Sequence, residues 1–219
     1  MKTAIILGAT GLTGGLVLEK LLKDRRYDSV KLFSRSTAGI NHPKIEEHLI
    51  DLFELEKYAE SFTADEVYCN IGTTKSKTPN EDVYRKIDYG IPVAAAKLAK
   101  KNNIEKFLVI SALGADADSK MFYNKTKGEM ERDVLKAEVP ETYIFQPSLI
   151  AGDRKEKRIF EAFGKHVMKV LNYLMVGPLK KYQSIHPETI AKAMIIVANE
   201  GYQKKKIESD EIKQIAKQE

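Results

Sequence analysis

Residues 3–15 read TAIILGATGLTGG, and the reading of this stretch decides the fold. Its first half is a short apolar run with the look of a buried strand. Leu12 to Lys23 follows with Leu16, Val17, Leu21 and Leu22 at helical spacing. Between them, Gly8 permits a tight turn, Gly11 lets the backbone approach a pyrophosphate, and Gly14 lets the helix pack close to the strand. Free N–H groups and the positive end of the helix dipole then face the phosphates. The spacing is G-x-x-G-x-x-G and no Gly-Lys-Ser/Thr follows, which excludes a nucleoside triphosphatase loop. A glycine triplet can serve packing alone, but its place after the first strand of an alternating chain points to a dinucleotide.

That alternation runs outward from the opening. SVKLFS, EEHLID and DEVYCNIG read as strands two to four, with a short helix around Leu55 to Phe62. A long helical stretch from about Asn80 to Asn102 is bent or restarted by Pro92. KFLVIS is the fifth strand, a helix follows from Tyr123 to about Glu138, and TYIFQPS is the sixth strand, closed by Pro147. Strands separated by helices imply a parallel, doubly wound α/β sheet of the Rossmann type. Beyond Leu149, Arg158 to Leu174 reads as a helix, LKKYQSI as a short strand and Glu188 to Asn199 as a helix. This tail is too small for a domain of its own, so residues 1–219 are expected to form one domain with a small substrate-side extension.

Composition narrows the function. The chain has 219 residues, 43% hydrophobic and 31% charged, with a net charge of +5 from 36 basic and 31 acidic side chains. That balance argues against nucleic acid, whose binders concentrate Lys and Arg on one face. The run Lys204 to Lys206 is followed by Glu208, Asp210 and Glu211 and reads as solvated surface. One cysteine, Cys69, excludes an intrachain disulfide; it lies in an expected strand and reads as core. The opening apolar run is too short and glycine-broken for a signal peptide, and no stretch suits a membrane span. A soluble cytoplasmic protein with a small-molecule substrate is expected, as monomer or homodimer. His42, His48, His166 and His186 are scattered without metal-ligand spacing. An amphipathic stripe of Phe160, Phe163, Val167, Val170 and Leu171 serves core packing, a pocket roof or a dimer face.

Several strand ends carry candidate ligands. After the second strand, Ser34 and Arg35 stand where NAD binders place an acid, and a guanidinium pairs with a 2′-phosphate that a carboxylate would repel. NADP(H) is therefore expected over NAD(H). Asp51, with Leu52 beside it, is placed to accept from the adenine amine, or else caps the following turn. Asn70 and Gly72 follow the fourth strand. Ser111 ends the fifth, and Tyr123 and Lys127 lie one helical turn apart just beyond it. Carbonyl reduction needs a hydride and a proton; a lysine cation favours the phenolate, and Ser111 would steady the carbonyl oxygen.

These residues, with the stretches GATGLTG, SALGAD, YNKTKGEME and FQPSLIAGDRKEKR, make the chain resemble a short-chain dehydrogenase/reductase. Within that superfamily it looks most like the atypical, Tat-interacting-protein-like oxidoreductases. The resemblance spans most of the first 160 residues. It implies NADP(H) bound through Gly8, Thr10, Gly11, Leu12, Gly14 and Arg35, with Pro147 and Ser148 against the nicotinamide. It also implies Tyr123 as acid/base, Ser111 as oxyanion partner, and Lys127 as activator and holder of the nicotinamide ribose. Two positions depart from the pattern. Ala112 stands where relatives often have a second serine, and the asparagine of the fourth helix has no match, Asp88 lying in that region. The expected function is NADP(H)-dependent hydride transfer on a small carbonyl or alcohol. The alternatives are a sugar-nucleotide epimerase or dehydratase, against which the short tail argues, and a non-catalytic NADPH-responsive binding protein.

Overall fold

The computed structural model describes residues 1–151 and 177–218. The expected helix Arg158 to Leu174, its apolar stripe and His166 lie outside the described residues.

The opening stretch folds as read. β1 (Lys2–Leu7) buries Ala4, Ile5, Ile6 and Leu7 completely, the mark of a strand covered on both faces. α1 (Leu12–Lys23) follows and presents Val17, Leu18 and Leu21 to the sheet. β2 (Tyr27–Ser34), β3 (Ile45–Leu49), β4 (Glu66–Cys69), β5 (Lys106–Ile110) and β6 (Glu141–Gln146) come next, with β7 (Lys206–Glu208) last. Among the described residues they form a seven-stranded sheet in the order β3-β2-β1-β4-β5-β6-β7, parallel at every pairing. This is the Rossmann arrangement that the alternation implied.

Two apolar layers cover the faces. On one, α1 and α5 (Pro187–Glu200) pack Leu18, Leu21, Ile190 and Met194 against the sheet. On the other, α3 (Ile91–Lys101) and α4 (Phe122–Leu135) contribute Leu98, Ala99, Met130 and Val134.

Three expectations are corrected. LKKYQSI is not a strand: Gly177–Tyr182 form a 3-10 turn, and Ile185 makes only an isolated bridge to Ile150. The position beside β6 is taken by β7, a strand not expected from the sequence, while Lys204, Lys205 and Lys206 are exposed as read. Ile207 is fully buried, and Lys204 pairs with Glu211 at 2.7 Å. The chain then turns into α6 (Ser209–Ile215), closed at its start by a reciprocal Glu208–Glu211 capping box. The short helix after β3 begins earlier than expected, at Leu52, because the Asp51 carboxylate accepts from Phe53 N at 2.9 Å and caps it.

The stretch from Asn80 to Asn102 is helical as expected but not uniform. α2 (Glu81–Arg85) passes into a π-helical turn, Lys86–Gly90, before α3 begins with Pro92 in its first turn. Pro92 lacks an N–H and interrupts the hydrogen-bond ladder of this continuous helix, and the π turn lies directly before it. The wider π turn directs Asp88 inward, where it is 1% exposed.

Candidate active site

A parallel sheet brings the carboxyl ends of all its strands to one edge, and the candidate residues collect there. Gly8 follows β1 with φ +85°, and a Cβ on it would stand 2.7 Å from the Asn70 carbonyl oxygen. At Gly14 a Cβ would lie 2.1 Å from the Gly8 carbonyl oxygen, so any side chain there would force helix and loop apart. Gly11 caps α1 without a side-chain hydrogen bond, and the first turn carries no acid, which leaves its positive end open to an anion. Thr10, Gly11 and Leu12 are exposed on this turn. The Asn70 amide beside it is buried with neither its nitrogen nor its oxygen hydrogen-bonded. Buried amides are rarely left so, and this one sits where a bound dinucleotide would supply partners. On these observations the residues present fit the cofactor.

Of the remaining cofactor candidates, Arg35 is exposed directly after β2, with no hydrogen bond or ion pair to it among the described residues. Ser34 is buried and donates to the Ser36 carbonyl at 2.8 Å. The Leu52 side chain is core, 5% exposed, so only its backbone is left to meet a ligand. Pro147 is buried, and its carbonyl accepts from Leu113 N. Ser148 donates to the Gln183 carbonyl at 2.5 Å and accepts from Ser209 at 2.9 Å.

A cavity of about 940 Å³ opens at the same edge. Its walls are the Thr73–Lys77 loop, Ser111 to Leu113 after β5, Phe122 and Tyr123 at the start of α4, Pro147 to Ile150 and Tyr182. The sequence candidates Ser111, Tyr123, Pro147 and Ser148 therefore share one cavity. Tyr123 is 43% exposed, whereas Lys127, one turn further into the helix, is 4% exposed. Lys127 Nζ stands 2.8 Å from Asp88 Oδ1, and Asp88 Oδ2 accepts from Thr73 N at 2.7 Å. The π turn thus delivers a counter-ion to the buried lysine and ties it to the loop that walls the cavity. Burial works to lower the lysine's pKa, but the Asp88 carboxylate, and Tyr123 after it, outweigh burial and hold it above the ordinary value.

Three tyrosines line the cavity, Tyr84, Tyr123 and Tyr182, and the surroundings of the first two differ. Tyr84 is buried, edge-on to Phe122 at 5.4 Å, and burial together with the nearby Asp88 carboxylate pushes its phenol well above the ordinary range. It stays protonated through neutral pH. Tyr123 stands on α4 one helical turn before the buried Lys127. Cys69 is buried and its thiol is pushed up to about 12, which suits a core residue and not a nucleophile.

Ser111 lies differently from expectation. Its Oγ donates to Glu131 Oε1 at 2.5 Å inside the protein, and both residues are buried. Gln146 Nε2 donates to the same oxygen at 2.8 Å, and Lys206 Nζ stands 2.7 Å from Oε2 in an ionic contact too oblique for a hydrogen bond. Giving up such a charge-assisted bond costs about 1.5–3 kcal/mol. Glu131 was not singled out from the sequence, although it continues the four-residue spacing of Tyr123 and Lys127 along α4 within YNKTKGEME. Gly128 was missed for another reason. A Cβ there would lie 2.1 Å from Ala117 N, because the loop after β5 crosses the helix at that point.

The comparisons with known proteins agree with this geometry. Residues 8–166 match the family described as NAD(P)H-binding. The chain is 32% identical over 185 residues to protein FMP52-1, mitochondrial, of Scheffersomyces stipitis, covering 81% of this chain and 76% of that one. It is 32% identical over 206 residues to FMP52, mitochondrial, of Meyerozyma guilliermondii, covering 90% and 85%. Protein HTATIP2 of Rattus norvegicus is 30% identical over 161 residues, covering 72% and 66%. Among solved structures, the Bordetella bronchiseptica enzyme WbmH in complex with NAD+ aligns with TM-score 0.68 at 14% identity, covering 91% of this chain and 72% of that one. The UDP-N-acetylglucosamine 4-epimerase of Methanobrevibacter ruminantium aligns with TM-score 0.68 at 16% identity, covering 92% and 74%. At such identities the structural likeness shows the fold alone.

The expectation of a cytoplasmic protein is corrected by these names, since the FMP52 relatives are named mitochondrial. A single cysteine and a lysine-rich surface fit any compartment that keeps thiols reduced and do not select the cytoplasm. Family match, relatives, sheet order and glycine turn converge: the chain belongs to the NAD(P)H-binding family, in the atypical, Tat-interacting-protein-like branch of the short-chain dehydrogenases/reductases.

Proposed function

We propose that the chain is an NADP(H)-dependent oxidoreductase acting on a small carbonyl or alcohol, with Tyr123 as proton donor and acceptor. The observation that carries this reading is the placement of the cavity-lining Tyr123 one helical turn before Lys127, which is buried and paired with Asp88 of the π turn. Bound at the glycine turn, the dinucleotide supplies or accepts the hydride. The first turn of α1 holds its pyrophosphate, Arg35 pairs with the 2′-phosphate, and the Asn70 amide finds its partners along the cofactor. Tyr123 gives its proton to the carbonyl oxygen in reduction and takes it back in oxidation. Lys127, kept cationic by Asp88, lowers the cost of the phenolate and would hold the nicotinamide ribose; its Nζ lies close to Gly72, 3.9 Å from where a Cβ would stand. Pro147 and Ser148 form the wall beside the nicotinamide. Residues 1–219 act as one domain, the tail serving the substrate side.

The test is a panel of aldehydes and ketones with NADPH, comparing wild type with Tyr123→Phe. Turnover that falls by a factor of about a hundred or more in the variant supports the proposal. Tight NADPH binding without any Tyr123-dependent oxidation would refute it and leave a cofactor-responsive binding protein.

A further inference from the structure

We propose that the substrate carries a carboxylate set apart from its reacting carbonyl, and that Lys75 and Lys77 receive it. Among the described residues lining the cavity, the charged side chains are Lys75, Lys77 and Glu81, two cations against one carboxylate. All three follow β4, in the Thr73–Lys77 loop and at the start of α2. The wall formed by Leu113, Pro147, Leu149 and Ile150 is apolar. The cavity is therefore polarised between a cationic side and a side that suits a carbon chain.

Lys75 is placed by two contacts. Its Nζ stands 4.9 Å from the centroid of the Phe122 ring, and Phe122 lines the cavity directly before Tyr123 in the chain. An aromatic face attracts an ammonium and holds it at this wall. The same Nζ is 2.6 Å from Glu81 Oε1, so Lys75 already meets a carboxylate here. Both partners are more than half exposed; such a pair contributes little and exchanges readily for a ligand. The Lys77 side chain is exposed and makes no hydrogen bond or ion pair among the described residues. The loop that carries both lysines is well braced. Asp88 Oδ2 accepts from Thr73 N, the Thr74 carbonyl accepts from Lys77 N and Thr78 N, and the Thr73 and Thr78 hydroxyls are 2.9 Å apart. A ketone bearing one carboxylate matches the single excess positive charge, whereas a neutral ketone leaves that charge to water.

The proposal rests on reading the cavity as the substrate site of an oxidoreductase, so its test has a binding arm and a turnover arm. The probes are levulinate and its longer straight-chain oxo-acid homologues, each paired with its primary amide, which keeps the shape and removes the charge. Binding to the NADP+-loaded protein is followed by ligand-observed NMR, and kcat/KM is measured with NADPH. Wild type, Lys75→Met, Lys77→Met and Glu81→Gln are compared. At the best chain length wild type is expected to prefer acid over amide about tenfold, near the lower end for a bond to a charged group. The ratio should drop to about threefold or less in each lysine variant, and added salt should shrink it in wild type. Glu81→Gln removes the competing carboxylate and should raise the ratio about two- to threefold, a gain that a merely structural ion pair would not give. No acid preference at any chain length overturns the proposal, as does a ratio unmoved in both lysine variants. An oxoalkyl phosphate bound more tightly than every acid overturns the choice of carboxylate. Turnover of ketones without an acid preference would retain the oxidoreductase reading and overturn the carboxylate site. A binding preference that follows the variants without any turnover would retain the carboxylate site and refute the oxidoreductase reading.

Discussion

Replacing Asp88 with asparagine would strip the buried Lys127 of its counter-ion while hardly changing shape. Lys127 and Asp88 are 4% and 1% exposed, so water cannot screen the charge left behind. Breaking one side of a buried pair typically costs about 3–5 kcal/mol. The asparagine oxygen can still accept from Lys127, but its NH2 group then faces Thr73 N, and the loop at the cavity wall loses its anchor. At about 2–4 °C per kcal/mol for a chain of this size, Asp88→Asn should lower Tm by roughly 6–20 °C at neutral pH. Combining it with Lys127→Met removes both charges and should recover a large part of the loss, since neutral replacements of buried pairs are often tolerated. Thermal melts followed by circular dichroism give all three values. The sign with pH is set by the lysine. Its pKa is raised in the fold, so the pair's contribution is complete below the unfolded lysine value of about 10.4 and is lost only as pH climbs through the folded one. A Tm for Asp88→Asn within about 2 °C of wild type, with no recovery in the double variant, would refute the burial argument.

Four further outcomes follow from other parts of the molecule. Gly128→Ala should cost at least about 1–3 kcal/mol by overpacking and should speed amide exchange chiefly between Ser111 and Met121; uniform exchange across the chain would contradict the close approach at Ala117. Burial raises the phenols of Tyr27 and Tyr68, so their contribution is present below about pH 10 and is lost above it. Stability should therefore fall steeply on the alkaline side, and Cys69 should stay unreactive to thiol reagents until the protein unfolds, with early modification the contrary result. Arg35→Ala should weaken NADPH by about 1.5–3 kcal/mol, roughly ten- to a hundredfold, and leave NADH unchanged. Equal affinity of the wild type for the two cofactors would remove the basis for its role.

The legible parts of this sequence were those whose signals are local. A four-residue buried run followed by closely spaced glycines fixes β1, its turn and α1 without reference to the rest of the chain. Tyr123 and Lys127 meet because they are one turn apart. The parts that were not legible depend on partners distant in sequence. β7 is three residues long and gains its burial only by pairing with β6, so KIE inside a lysine run gave no strand signal. Asp88 and Glu131 look like surface acids in amphipathic helices. Their roles appear only when the π turn brings one to Lys127 and the sheet brings Ser111 and Gln146 to the other. Asp51 caps the following turn, as one of its two readings had it, through a contact only two residues away in sequence.

The most direct test of the account follows the hydride itself. NADPH deuterated at the transferring position of the nicotinamide is incubated with the protein and a ketone panel, and the product alcohols are examined by mass spectrometry. The account predicts one deuterium at the former carbonyl carbon, present with wild type and lost in Tyr123→Phe. Products without deuterium, or equal labelling by the two proteins, would contradict it.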